Sequence, residues 1–86
     1  MSQIIDIKVN DKDYQIEWAL SEYFGELKGK TFKLNEMAAD QIETIDNLSN
    51  TAKLLLSAVA GAVIQHLIDI NCNINDIFEN GSFTIK

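Results

Sequence analysis

An apolar stretch from Leu48 to Ile70 constrains the fold more than any other part of this 86-residue chain. Its apolar residues recur at about 100° per residue, the spacing of a helix that faces a core. The predicted core positions are Leu48, Ala52, Leu55, Leu56, Val59, Val63, Leu67 and Ile70. The opposite side is a row of polar or small residues at four-residue spacing, formed by Lys53, Ser57, Gly61, Gln65 and Asp69 and interrupted by Leu54, Ala58, Ile64 and Ile68. The stretch predicts a central helix whose second, half-apolar face is either sandwiched within the fold or left as a seam for a partner.

Small residues on that second face allow a close approach by another backbone. Ser57 and Gly61 are four positions apart, and so are Ala58 and Ala62. One interpretation is tight packing within the monomer. The other is a seam between copies of the chain, formed by Ser57, Ala58, Gly61 and Gln65, which would make the protein a homodimer or larger homo-oligomer.

Polar residues argue against a membrane-spanning role for the same stretch. Lys53, Gln65, His66 and Asp69 interrupt it, and it lacks the roughly 18 consecutive apolar residues of a spanning helix. The chain opens without a signal-peptide pattern. We therefore expect a soluble, cytoplasmic protein that forms a single domain over residues 1–86.

The charge of the chain bears on its partners. Thirteen acidic residues against seven lysines, with no arginine, give a net charge of −6. Nucleic-acid affinity comes largely from cationic groups that neutralise phosphates, and arginine supplies most bidentate contacts. Direct nucleic-acid binding is therefore not expected. The single cysteine excludes an intramolecular disulfide.

The N-terminal residues predict a β-hairpin with one apolar face. Ile5, Ile7 and Val9 alternate with polar residues, Asn10 to Asp13 are typical of a turn, and an alternating run follows. The apolar positions of that second run are Tyr14, Ile16 and Trp18.

Two short helices are predicted next. Leu20, Tyr23, Phe24 and Leu27 follow helical spacing and Gly29 ends the first helix, after which residues 31–34 form a brief strand or an extended link. Asn35 caps the second helix, with Glu36 in its first turn. This helix buries Leu34, Met37, Ala38, Ile42 and Ile45. Capping residues at 47–51 separate it from the central helix, which restarts near Ser49 or Asn50; a single bent helix over residues 35–70 is the alternative.

The C-terminal residues predict a strand that closes the sheet. Asn80-Gly81 is either a hairpin turn or the end of a short helix from Asp76 to Glu79, and Phe83 and Ile85 face the core. The last strand is expected to pair with the N-terminal hairpin. The predicted fold is α+β, a small antiparallel sheet covered on one face by a long central helix and two shorter helices.

The residues capable of chemistry are isolated in the sequence. His66 is the only histidine and lies beside the apolar arc, which favours a structural role over a pH-sensitive or interface role. Cys72 follows a helix C-terminus, where the dipole disfavours a reactive thiolate. Asn71, Asn73 and Asn75 resemble the start of a calcium loop, but Asp76 and Ser82 occupy its glycine and glutamate positions. No catalytic, metal or cofactor motif occurs, so we predict no enzyme, no metal and no cofactor.

Four acidic residues form the candidate partner-binding face: Glu36, Asp40, Glu43 and Asp46. Such a face either keeps the protein soluble or steers it onto a basic partner. By class analogy, the sequence favours a non-enzymatic interaction protein, such as a phage- or mobile-element-encoded inhibitor of a bacterial nucleic-acid enzyme or defence system. A homo-oligomeric assembly subunit is the first alternative. The second is a small-ligand binder whose pocket is lined by Tyr14, Trp18, Tyr23 and His66.

Overall fold

A computed structural model describes all 86 residues and shows an α+β fold, as predicted. The strands are β1 (Ser2–Val9), β2 (Lys12–Ala19), β3 (Thr31–Lys33) and β4 (Gly81–Ile85). The α-helices are α1 (Ala39–Glu43), α2 (Asn50–Asp69) and α3 (Ile74–Asn80). Two 3₁₀ helices, at Glu22–Glu26 and Leu34–Glu36, flank β3. All neighbouring strands are antiparallel, in the order β2-β1-β4-β3.

The N-terminal hairpin is confirmed, but its turn is shorter than predicted. Lys12 and Asp13 already pair with Val9 and Lys8, so only Asn10 and Asp11 form the loop. Asn10 adopts φ 55°, a left-handed conformation that asparagine tolerates better than most residues. The register places Ile16 opposite Ile5, and the apolar sides of both strands therefore face the helices.

The first predicted helix forms as a 3₁₀ helix, begins only at Glu22, and keeps half of its predicted core. Phe24 and Leu27 are fully buried, whereas Leu20 and Tyr23 are exposed. A 3₁₀ helix has three residues per turn, so positions 24 and 27 share a side while 20 and 23 turn outward. Gly29 ends the segment with φ 78° and donates its N–H to the carbonyl oxygen of Ile85 at 2.8 Å.

The predicted helix capped by Asn35 is wrong in its start and length. Leu34 is buried directly after β3, so the chain turns at once through the second 3₁₀ helix. The five-residue α1 begins only after Ala38, whose N–H is accepted by the Gln41 side chain at 3.3 Å. Ile42 is buried and Met37 and Ile45 are half-buried, as expected, but Ala38 is exposed because it precedes the helix.

The break before the central helix is confirmed, which excludes a single bent helix over residues 35–70. Ser49 caps α2 by accepting the N–H of Ala52 at 3.1 Å. Helix α2 buries Ala52, Leu56, Val59, Ala60, Val63 and Leu67. Leu48 just before it is also buried, but Leu55 is half-buried and Ile70 is exposed, because α2 has ended before Ile70.

The end of α2 is a Schellman motif centred on Asn71. Asn71 has φ 66° and donates to Ile68, while Cys72 donates to the carbonyl oxygen of Leu67, both at 3.0 Å. Asn73 then caps α3 by accepting two backbone N–H groups. Of the two readings of Asn80-Gly81, the helix end is correct and the hairpin turn is wrong, because α3 runs directly into β4.

The core lies between one face of the sheet and the helices. Strand β4 pairs with β1 and β3, and Phe83 and Ile85 are buried, as predicted. The Phe83 ring lies 5.4 Å from that of Phe32. The outer face of the sheet is polar, with the hydroxyls of Thr31 and Thr84 2.9 Å apart. The helices therefore form a second layer, and the outer side of α2 is the surface of that layer.

Glu26 fixes the start of α2 against the first 3₁₀ helix. Its carboxylate accepts the backbone N–H of Ser49 at 2.8 Å and the hydroxyl of Ser49 at 2.7 Å. The backbone hydrogen bond, followed by the side-chain hydrogen bond, lowers the pKa of Glu26 below its ordinary value.

We expect this contact to make stability depend on pH. A lowered pKa in the folded state contributes stability above the unfolded pKa of about 4.5, and this contribution is lost as the pH falls through the folded pKa. Urea unfolding should give the native protein a higher free energy of unfolding than Glu26→Gln at pH 7. This difference should shrink below pH 4.5. Glu22→Gln, on the exposed part of the same 3₁₀ helix, is the control. An advantage that stays constant down to pH 3 would contradict the assignment.

Candidate interaction surfaces

The four predicted acidic residues are all exposed, but they do not share one helix face. Glu36 belongs to the second 3₁₀ helix, Asp40 and Glu43 belong to α1, and Asp46 lies in the loop after it. The helical row predicted from their spacing is therefore wrong. Only Asp40 and Glu43 come together at one surface feature, because α1 is too short to include the other two.

A groove of about 580 Å³ lies between α1 and the first half of α2. Its lining residues are Ala39, Asp40, Ile42, Glu43, Asn50, Lys53, Leu54 and Ser57. Its apolar surface comes mainly from Leu54, which is 73 % exposed, because Ile42 is only 3 % exposed. Lys53 donates its ammonium group to the carbonyl oxygen of Glu43 at 2.8 Å. The groove thus combines exposed apolar surface with two carboxylates, Asp40 and Glu43, and with the Lys53 ammonium group, which is already hydrogen-bonded within the chain.

Glu36 lines a separate cavity of about 400 Å³, together with Met37 and Phe32. The predicted four-residue face is therefore divided, with Asp40 and Glu43 in the groove, Glu36 in the second cavity and Asp46 in neither. Sequence reasoning identified the acidic residues but missed Leu54 as their apolar neighbour. The signal was its position as a leucine that interrupts the polar side of the central helix.

The residues of the predicted seam lie together on the outer side of α2. Ser57, Ala58, Gly61 and Gln65 are all exposed. A side chain added at Gly61 would meet nothing within 4 Å, so tight packing of Gly61 within the monomer is excluded. Ile68, at 42 % exposure, extends this surface toward the end of the helix.

Helix α2 is also the one helix whose length and composition would suffice to cross a membrane. One side of it forms the centre of the core, where Leu56, Val59 and Val63 have no exposed surface. This globular arrangement is consistent with a soluble protein.

Tyr14 and Cys72 meet where the hairpin approaches the end of α2. The Cys72 sulfur and the Tyr14 hydroxyl lie 3.7 Å apart, and this hydrogen-bonding contact, followed by partial desolvation, raises the pKa of Tyr14 above its ordinary value. Both residues line a shallow cavity of about 450 Å³. Trp18, Tyr23 and His66 do not line it, so the four residues proposed for a ligand pocket are not brought together there.

His66 is half-buried on α2, and this partial burial is compatible with both the structural and the interface role considered for it. Its ring makes no hydrogen bond within the chain. No group of three or more His, Cys, Asp or Glu side chains is arranged to hold a metal ion.

These observations define a small α+β protein with a four-stranded antiparallel sheet, helices on one face and two exposed surfaces on the helical layer. Neither a family model, nor a curated protein, nor a solved structure matches the chain.

Proposed function

We propose that the protein is a non-enzymatic, cytoplasmic interaction protein that binds a basic, amphipathic segment of another protein. The observation that carries this proposal is the groove between α1 and α2. Leu54 offers exposed apolar surface to the apolar side of such a segment. Asp40 and Glu43 suit its lysines or arginines, because the Lys53 ammonium group in the groove is already bound to the carbonyl oxygen of Glu43.

The charge of the whole chain supports the same partner. A net charge of −6 attracts a basic surface over several ångströms and accelerates encounter at low salt. The phosphate-binding surface of a nucleic-acid enzyme has this chemistry. By class analogy, we propose a modulator or inhibitor of such an enzyme, as encoded by phages or mobile elements.

The proposal is tested with a synthetic helical peptide that carries leucine on one side and lysine on the other. Titrated into isotope-labelled protein, it should shift the NMR resonances of Ile42, Leu54 and Ser57. Asp40→Lys/Glu43→Lys should weaken binding by about tenfold or more, because the two lysines that replace the carboxylates repel the lysines of the peptide. Affinity should also fall as salt is added.

The matched control is Asp11→Lys/Asp13→Lys in the hairpin loop region. Each replacement adds two charge units, so either double variant changes the net charge from −6 to −2. Equal weakening by both variants would show that only overall charge matters and would overturn the groove as the site. Resonance shifts confined to another surface, or no binding at all, would also overturn it.

The homo-oligomeric alternative is favoured by a different observation, the exposed outer side of α2 around Gly61, beyond which the space is open. The small-ligand alternative has no comparable support.

A further inference from the structure

The outer side of α2 is an unpartnered helix surface without charge along most of its length. From Leu54 to Ile68 the sequence contains no Asp, Glu, Lys or Arg. Lys53 and Asp69 are the first charged residues on either side. A solvated helix face normally carries charged residues throughout, so this surface is unusual for one that faces only water.

The row along this surface is symmetric about Gly61. Lys53 and Asp69 lie eight residues before and after it, and Ser57 and Gln65 lie four before and after it. An antiparallel copy of the helix, related by a two-fold axis near Gly61, therefore places Lys53 of one chain beside Asp69 of the other. The same operation places Ser57 beside Gln65, a hydroxyl beside an amide. The row is thus complementary to itself in charge and in hydrogen-bonding groups. In the single chain Lys53 donates to the carbonyl oxygen of Glu43 and Gln65 donates to the Asp69 carboxylate, both at 2.8 Å, so the dimer exchanges these contacts for contacts between the two copies.

The spacing of the row also fixes a packing geometry. Residues 53, 57, 61, 65 and 69 form an i±4 ridge, and two such ridges align when helices cross at about 50°. Ser57 and Gly61 keep the ridge low, and the space beyond Gly61 is open. Two helices can therefore approach closely at the two-fold axis, with exposed Leu54 and Ile68 on the flanks of the contact.

We propose that the occupant of this surface is a second copy of the chain, packed antiparallel through α2 with its two-fold axis near Gly61. The proposal goes beyond the proposed function, because it concerns the outer row of α2 and leaves Asp40 and Glu43 on α1 outside the contact. Lys53, Leu54 and Ser57 belong to both surfaces, so a peptide in the groove and the second copy compete for them.

Sedimentation equilibrium from 1 μM to 1 mM should show a monomer–dimer equilibrium with a Kd on the order of micromolar, since one helix pair buries less than a standard interface. Gly61→Leu should weaken the dimer by roughly a hundredfold, because its side chain occupies the point of closest approach. Gly25→Leu is the control, since Gly25 also faces open space but lies outside α2. A monomer at 1 mM, or a dimer unaffected by Gly61→Leu, would overturn the proposal.

Charge exchange tests the antiparallel pairing directly. Asp69→Lys brings two lysines together at both ends of the contact and should weaken the dimer by about tenfold. Adding Lys53→Asp restores opposite charges and should recover most of the affinity. If the double variant is no tighter than the single one, the Lys53–Asp69 pairing is excluded.

Cysteine cross-linking determines the direction of the helices, in a Cys72→Ser background with an added oxidant. Copies of position 57 lie about 12 Å apart along antiparallel axes, beyond the roughly 7 Å limit for a disulfide. Ser57→Cys and Gln65→Cys should therefore cross-link only when mixed. Cross-linking of either variant alone would indicate parallel helices and overturn the proposal. Because these readouts need no peptide, they are independent of the groove experiment.

Discussion

Phe24→Ala should lower the free energy of unfolding by about 3–5 kcal/mol, the largest effect expected for a single replacement in this chain. The Phe24 side chain is fully buried beneath α2, although it belongs to a five-residue 3₁₀ helix. Truncation removes an aromatic ring from the core and leaves a cavity that the strands and α2 cannot close. The melting temperature Tm should fall by about 15 °C or more in a domain of this size.

The neighbouring aromatic residue provides the control for Phe24. Tyr23 lies in the same 3₁₀ helix and has 36 % of its surface exposed. Tyr23→Ala should therefore cost about 1 kcal/mol or less. If the two replacements cost the same, the orientation of this segment against the core is wrong.

Gly81→Ala should destabilise the protein by about 2–3 kcal/mol for a steric reason. A Cβ atom at Gly81 would overlap the carbonyl oxygen of Ile77 and lie 2.8 Å from the Cδ1 atom of Leu34. The backbone of Gly81 has φ −93°, which every residue adopts, so conformational freedom is not what requires glycine here. The requirement comes from α3 running directly into β4.

Gly61→Ala is the matched control for this second prediction. The added methyl group meets nothing within 4 Å on the exposed side of α2. Alanine also has a higher helix propensity, so the replacement should stabilise the monomer by about 0.5–1 kcal/mol. Urea unfolding of both variants at a concentration where the protein is monomeric gives the comparison. Equal midpoints for Gly81→Ala and the native protein would contradict the close contact with Ile77.

The difference between these glycines was not readable from the sequence. Gly61 was identified as a place where another backbone can approach, and the structure leaves it open to such an approach. For Gly81 the sequence indicates only a hairpin turn or a helix end, neither of which requires the absence of a side chain. Its actual requirement arises because Ile77, four residues earlier, and Leu34, far away in the sequence, converge on it.

Local patterns in the sequence determined most of the secondary structure. Alternation of apolar and polar residues predicted the hairpin and the burial of Phe83 and Ile85. Helical spacing predicted α2, and capping residues predicted its start near Ser49. These features depend on side-chain periodicity and capping within a few residues, so one sequence is enough to predict them. The same reasoning failed at Asn35, because the helix start there was decided by burial of Leu34 directly after β3.

Tertiary structure alone decided which surfaces remain exposed. The spacing of the four acidic residues predicted that they share one helix: Glu36, Asp40, Glu43 and Asp46. The α-helix there has only five residues, so Glu36 and Asp46 lie outside it. The groove exists because α1 packs beside Leu54, a contact between residues that no local pattern connects. The sequence by itself determined most of the helices and strands and the self-complementary row about Gly61. The packing of the helices on the sheet determined that this row faces outward, because burial depends on contacts between distant parts of the chain.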